Sequence, residues 1–197
     1  ADGKYIAVAT ITGATADAAG QVVVDFRVER DIGTPVLDVP SVTANIAKLV
    51  PIPFLPPRTG DQSSKWVPYL YRTETVGATG GPFPNPVGTQ ALQGYREGNG
   101  DLVNHGDGTY TYTFATNIAS VFAGGAPITY ERNRKHRVSV MMGGHAGATA
   151  TAVYDFVPDG STVTLTRDIV RTETCKNCHG FDFHGHGGDR LIVENCV

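Results

Sequence analysis

Apolar and polar residues alternate with a period of two through most of the first 170 residues. From Gln21 to Arg30, the apolar side chains fall on one face and the charged side chains on the other. Such alternation is typical of an antiparallel strand that buries one face. Similar runs, rich in β-branched and aromatic residues, occupy 109–114, 138–142, 152–156 and 162–166, with less regular candidates at 5–12 and 42–50. We predict about seven strands, and a short helix at 44–49 is an alternative within the last candidate.

Turn residues separate these strand candidates. Glycine, with asparagine or aspartate at two of the three sites, clusters at 104–108, 143–144 and 158–160, where it favours tight turns. No apolar stripe of useful length has helical spacing, and strands do not alternate with helices, which argues against a parallel doubly wound sheet. The pattern therefore predicts a mainly β fold with antiparallel sheets, either a sandwich or a partly open barrel.

Charge and hydropathy exclude two classes of function. The chain has 16 basic and 19 acidic residues and a formal net charge of -3, so no cationic excess draws it to nucleic acid. Its apolar runs are far shorter than the roughly 20 residues that cross a bilayer as a helix. The first residues lack a basic stretch followed by an apolar core, so we expect a chain that either was never exported or has lost its signal peptide.

All three cysteines lie near the carboxyl end, at Cys175, Cys178 and Cys196. The first 174 residues must therefore fold without a disulfide, which burial alone allows at this length. Cysteines clustered at one end of a chain are typical of a functional site rather than of a fold held by disulfides. A site outside the cell is consistent with a signal peptide that has been removed.

The stretch Cys175-Lys176-Asn177-Cys178-His179 is a C-x-x-C-H motif. Residues three and four apart share one face of a helix, so both thiols can bond one edge of a haem while His179 reaches the iron. The motif predicts covalent haem c attachment, with Cys175 and Cys178 as thioether anchors and His179 as the proximal iron ligand.

Three alternatives remain for this motif. Zinc could be bound by Cys175 and Cys178 with two of His184, His186 and Cys196, although zinc would not explain why His179 directly follows the second cysteine. A thioredoxin-like dithiol would require a βαβ context. The two cysteines could also be reduced residues on a surface turn.

A haem with two histidine ligands needs a second imidazole. His186, in the His-Gly-Gly stretch, is the first candidate and His184 the second. The seven residues from His179 to His186 span at most roughly 25 Å when extended, so that binding the same iron is just feasible. His186 can serve this haem or a neighbouring one. His136, between two basic residues at the start of a strand, is expected to be a structural or surface residue.

Several stretches resemble the OmcA/MtrC family of outer-membrane decahaem c-type cytochromes. They are 106–112, 136–138, 155–160, 166–170, the C-x-x-C-H motif, 186–190 and 195–197. The resemblance implies a Greek-key split β-barrel or sandwich over 1–170, followed by a short irregular or helical haem-binding segment over 171–197. It also implies that Cys196 opens a second attachment motif of a longer multihaem chain.

The resemblance further implies an exported electron-transfer protein on the outer-membrane surface, not an enzyme in itself, with terminal metal-reductase activity reserved for the intact protein. Its expected partners are other haems or cytochromes and extracellular metal or flavin acceptors, with self-assembly or an outer-membrane porin–cytochrome partner also envisaged. From a different class, the alternative is an exported β-sandwich that binds a partner or forms filaments and carries a structural zinc site.

Overall fold

The computed structural model describes residues 5–30, 33–52, 64–77, 86–143, 147–180, 183–184 and 190–195. Within these ranges the chain forms strands, one α-helix and a final 3₁₀ turn. The strands are β1 (Tyr5–Ile6), β2 (Val8–Ala16), β3 (Val22–Glu29), β4 (Thr43–Pro51), β5 (Ser64–Pro68), β6 (Tyr71–Thr75), β7 (Gln90–Gly94), β8 (Asp101–Asn104), β9 (Thr109–Thr113), β10 (Phe122–Ala123), β11 (Ala126–Pro127), β12 (His136–Met142) and β13 (Ala148–Phe156). The helix α1 is Thr172–His179, and the 3₁₀ turn is Val193–Asn195.

Two larger sheets enclose the core. One has the order β1-β13-β12-β4-β5 and the other β2-β3-β9-β8, while β6–β7 and β10–β11 form separate two-stranded hairpins. The pairs are antiparallel except β1 with β13, which is parallel. Each sheet ends in two edge strands, so the described sheets stay open. The predicted mainly β, antiparallel fold class is confirmed, with one parallel pair added.

The alternation in β3 matches its burial. Val22, Val24, Phe26 and Val28 are each at most 1% exposed and belong to one hydrophobic core with residues of both sheets. Burying side chains of this size contributes roughly 1.5–3 kcal/mol each. Period-two alternation therefore identified the inner face of this strand correctly.

Strand β12 departs from the half-buried pattern. Val138, Val140 and Met142 face the core, yet Ser139 and Met141 on the opposite face are also buried. The amide of Asn195 lies over these two residues: Ser139 Oγ donates to Asn195 Oδ1 at 2.5 Å, and Asn195 Nδ2 lies 3.3 Å from Met141 Sδ. The carboxyl-terminal segment thus covers the outer face of the sheet.

Two local predictions are wrong. The alternative helix at 44–49 is part of β4, which is hydrogen-bonded between β12 and β5, and pairing on both sides overrides local propensity there. The predicted strand at 162–166 joins no ladder. The end of this segment instead contacts β5 through side-chain hydrogen bonds. Ser64 Oγ donates to the carbonyl of Thr166 at 2.9 Å, and Arg167 Nη1 donates to the carbonyl of Ser64 at 2.5 Å.

The strand count was also too low, because β5, β8 and the hairpins β6–β7 and β10–β11 were not foreseen. Both residues of β11 and all five of β7 are exposed. A strand without a buried face carries no alternating apolar signal, so these elements are recognised only by their pairing.

His136 is a fully buried structural residue. Its Nδ1 lies 2.8 Å from the carbonyl of Arg134 and its Nε2 lies 2.8 Å from the hydroxyl of Tyr69. Because a carbonyl only accepts, Nδ1 carries the proton, and in the neutral ring Nε2 accepts from Tyr69. Both ring nitrogens are therefore satisfied when the imidazole is neutral.

Among the helices of the described residues, none has the length and apolar character to cross a membrane. The helix α1 has only eight residues.

Candidate haem-attachment site

The C-x-x-C-H motif occupies the last five of the eight residues of α1. Arg171 precedes the helix with extended backbone, and Gly180 ends it with φ 69°, its amide donating to the carbonyl of Lys176 at 2.8 Å. A glycine adopts positive φ at little cost, so the residue after His179 is suited to stop the helix there. The helix predicted from the motif is confirmed.

The helix places the three motif side chains near solvent. Cys175 is half-buried, while Cys178 and His179 are exposed. Both cysteines are free thiols, and the ring of His179 lies 5.9 Å from that of Phe183, centroid to centroid. Residues at i, i+3 and i+4 are neighbours on a helix surface. Two free thiols and an accessible imidazole in this arrangement fit covalent haem attachment.

The candidate second ligands are placed only in part. His184 lies within the described residues, and its side chain is exposed. His186 and Cys196 lie outside the described residues, so the distal ligand and the second attachment point stay predictions.

Within the described ranges, no three His, Cys, Asp or Glu side chains group closely enough to hold a metal ion. A zinc site with Cys175 and Cys178 would therefore need His186 or Cys196, which lie outside those ranges.

A carboxylate from the end of the chain caps the start of α1. The Thr172 amide donates to Glu194 Oε1 at 2.8 Å, and its hydroxyl donates to Glu194 Oε2. The amide of Val193 in turn donates to Thr172 Oγ1 at 2.9 Å. The first amides of a helix have no intrahelical acceptor and carry a partial positive charge, so a carboxylate there satisfies both needs. Glu194 therefore ties the helix to the 3₁₀ turn.

The pKa of Glu194 reflects this role. Burial raises the pKa of this carboxyl, but the hydrogen bonds from Thr172 and the charge of Arg137 outweigh burial and leave the pKa below its usual value. The carboxylate form is thus the one that holds the helix.

Arg137 connects the same turn to the β sheet. Its Nε and Nη2 donate to the carboxylate of Asp155 on β13 at 2.7 and 3.0 Å, and its Nη1 donates to the carbonyl of Glu194 at 3.2 Å. The guanidinium also lies over the ring of Trp66, 4.6 Å from the centroid. The start of α1 is therefore connected, through Glu194 and one arginine, to strands β5, β12 and β13.

Sequence reasoning missed Glu194, Asn195 and the role of Arg137. Glu194 is 22 residues from its partner Thr172, and no local pattern links positions so far apart. The only available signal was that 136–138 and 195–197 lie in stretches that resemble the cytochrome family.

We expect Glu194→Ala to fray the first turn of α1. Loss of this capping carboxylate should destabilise the chain by about 1 kcal/mol, the usual cost of losing a helix cap. Hydrogen exchange of the Thr172 amide, measured by NMR, should become faster. Glu173→Ala, which removes an exposed carboxylate from the same turn, is the control and should leave that exchange rate nearly unchanged. Equal protection of Thr172 in both variants would refute the capping role.

Comparison with known proteins supports this interpretation. A family model described as the OmcA-like N-terminal domain matches residues 87–163. The multihaem cytochrome MtrC of Shewanella baltica strain OS185 is 33% identical over 107 residues, which is 50% of this chain and 16% of that protein.

Two solved structures have a similar fold. The outer membrane decahaem cytochrome OmcA has a TM-score of 0.76 and 30% identity over 96% of this chain and 29% of that chain. MtrC from Shewanella baltica OS185 has a TM-score of 0.64 and 23% identity over 98% of this chain and 29% of that chain, and this second likeness concerns the fold alone.

The chain therefore spans less than a third of the length of these cytochromes. It resembles, in sequence and in its mainly β fold, the N-terminal domain of the OmcA/MtrC family of outer-membrane multihaem cytochromes.

Proposed function

We propose that this chain is the N-terminal part of an outer-membrane multihaem c-type cytochrome and carries one-electron transfer through haem c. The observation that supports this most is the placement of Cys175, Cys178 and His179 on one accessible helix with both thiols free. The likeness to OmcA and MtrC agrees with it.

Cys175 and Cys178 would hold the haem by thioether bonds, with His179 as the proximal iron ligand. A haem with two histidine ligands supplies one-electron chemistry without an open coordination position. The protein contributes a fixed orientation: Gly180 ends the helix directly after His179, and Glu194 secures its first turn. His186 remains the first candidate for a second axial ligand, to this haem or a neighbouring one, and His184 the second.

We propose a boundary near residue 170 between the β domain and the haem-binding segment. Strand β13 ends at Phe156 and α1 begins at Thr172. The segment still packs on the β domain through Leu191, which is buried, and through Asn195. The β domain would therefore support and partly shield the haem, and Cys196 would begin the next attachment motif.

The finer proposals follow from the same resemblance. Electrons would pass between neighbouring haems or cytochromes and onward to extracellular metal compounds or flavins. The protein would be exported to the outer-membrane surface, alone, self-assembled or with a porin partner. Any terminal metal-reductase activity would belong to the intact protein.

Visible absorption and intact mass test the proposal. We expect the chain, made in a host that attaches haem c, to show the sharp band of reduced haem c and to keep its colour after acid-acetone extraction. The mass should exceed that of the polypeptide by one haem for the motif at 175–179. A colourless chain of polypeptide mass would contradict the proposal. Carbon monoxide binding to the reduced chain would contradict a second histidine ligand from His184 or His186 to this haem.

A further inference from the structure

A cleft of about 670 Å³ lies on the outer face of the five-stranded sheet, beside the haem-binding segment. Its walls come from β4, β5, β7 and β12, and its rim is formed by Arg167, Arg190, Glu194 and Asn195. Glu194, which caps α1, is part of that rim. The cleft is thus adjacent to the start of the haem-binding helix, yet it contains none of the motif residues.

The lining of the cleft is strongly cationic. Among the described residues it contains five basic side chains and one carboxylate, although the whole chain has a net charge of -3. The basic residues are Lys65, Arg96, Arg137, Arg167 and Arg190. Positive charges gathered on a concave surface raise the local concentration of anions. The cleft therefore favours an anionic ligand.

The lining carboxylate offsets only part of this charge. Both oxygens of Glu194 accept hydrogen bonds from Thr172 at the start of α1. Asp155 pairs with Arg137, but it is not a lining residue. Arg167 donates to a carbonyl, which carries no net charge. Among the described residues, the five basic side chains that line the cleft therefore outnumber its one lining carboxylate.

Aromatic surface and a buried donor complete the cleft. Trp66, whose ring lies against the guanidinium of Arg137, and Tyr95 line it. The indole Nε1 of Trp66 is buried and has no hydrogen-bond acceptor among the described residues. An arginine guanidinium binds a carboxylate through two parallel hydrogen bonds, and several basic groups spread along one cleft suit more than one carboxylate.

We propose that this cleft binds a ligand with two or more carboxylates. Two sources share that chemistry: the two propionates of the porphyrin attached to α1, or a free polycarboxylate such as citrate. Cys175 lies three residues, about 4.5 Å along the helix axis, beyond Thr172, which contacts the lining residue Glu194. Only the propionate source depends on the proposed haem function.

Citrate titration by calorimetry, at low ionic strength, tests the cleft in two forms of the full chain. One form carries haem and the other is the haem-free variant Cys175→Ala/Cys178→Ala, whose folding is checked by circular dichroism. Citrate binding to both forms indicates a free polycarboxylate. Binding to the haem-free form alone indicates that propionates fill the cleft in the haem-loaded chain. Because Trp66 is the single tryptophan, its fluorescence in the haem-free form gives a second, local signal.

Charge variants decide whether the cleft is the site. Lys65→Gln/Arg167→Gln should weaken citrate binding at least tenfold, whereas Arg27→Gln, which removes one charge on β3 of the other sheet, should leave it unchanged. In the haem-loaded chain, a reduction potential that becomes pH dependent in the double variant supports the propionate source. The proposal is overturned when neither form binds citrate, or when Arg27→Gln weakens binding as much as the cleft variant. If the wild-type chain attaches no haem, the proposed function fails while the titration still tests the cleft.

Discussion

Replacing both Cys175 and Cys178 with alanine is expected to abolish covalent haem attachment. Each thiol would form one thioether bond to the porphyrin, so the double variant retains no covalent link. The thiols lie on a helix whose only buried residue is Thr172, so the β domain should stay folded. Intact mass and acid-acetone extraction measure the result: all haem should be extracted and the polypeptide should have its unmodified mass.

Two control variants separate attachment from ligation. Cys196→Ser leaves the complete motif at 175–179 intact and should keep its one haem. His179→Ala removes the proximal ligand but neither thiol, so haem should stay attached while the visible spectrum shifts from that of a six-coordinate iron. Porphyrin mass remaining on the double cysteine variant would contradict the assignment of Cys175 and Cys178.

The second large effect concerns His136 and acid stability. Burial lowers the pKa of this imidazole from 6.5 to about 4, with Lys48 adding to the decrease, while the hydrogen bond to the Arg134 carbonyl and the charge of Glu131 oppose it. Protonation would place a second N–H against the hydroxyl of Tyr69, which donates to that nitrogen in the neutral form. The folded protein therefore resists taking up this proton.

The sign of the pH dependence follows from that difference. Between pH 6.5 and about 4, an unfolded chain binds a proton at His136 that the folded chain does not. Neutral His136 therefore makes its full contribution to the free energy of unfolding above pH 6.5, and this contribution is lost as the pH falls toward 4. A shift of this size corresponds to roughly 3 kcal/mol, a large part of the total stability of a domain.

Urea unfolding of the wild type and of His136→Gln measures this loss. Carboxylates also lose stabilising interactions in acid, so the informative quantity is the difference in pH dependence between the two proteins. The free energy of unfolding should fall more steeply from about pH 7 to about pH 4.5 in the wild type, by roughly 2.5 kcal/mol. Replacing the exposed His105 with glutamine is the control and should leave the slope as in the wild type. Parallel slopes for wild type and His136→Gln would refute the role of this imidazole.

Local sequence patterns predicted strands in which side chains alternate between the core and solvent. The inner face of β3 was identified from alternation because its apolar residues face one core and its charged residues face solvent. The same approach failed at 162–166, where alternation is present but the segment contacts β5 through side chains instead of a ladder. It also failed to show that both faces of β12 are buried.

The sequence by itself determined the mainly β class and predicted the chemistry of the candidate site, because period-two alternation and the C-x-x-C-H spacing are both local patterns. Only the tertiary structure decided which distant residues hold that site. Glu194 caps α1, Asn195 covers β12, and five basic side chains converge on one cleft. The physical reason is that hydrogen bonds and electrostatic fields act between residues that folding brings together, and their separation along the chain leaves no mark in local spacing.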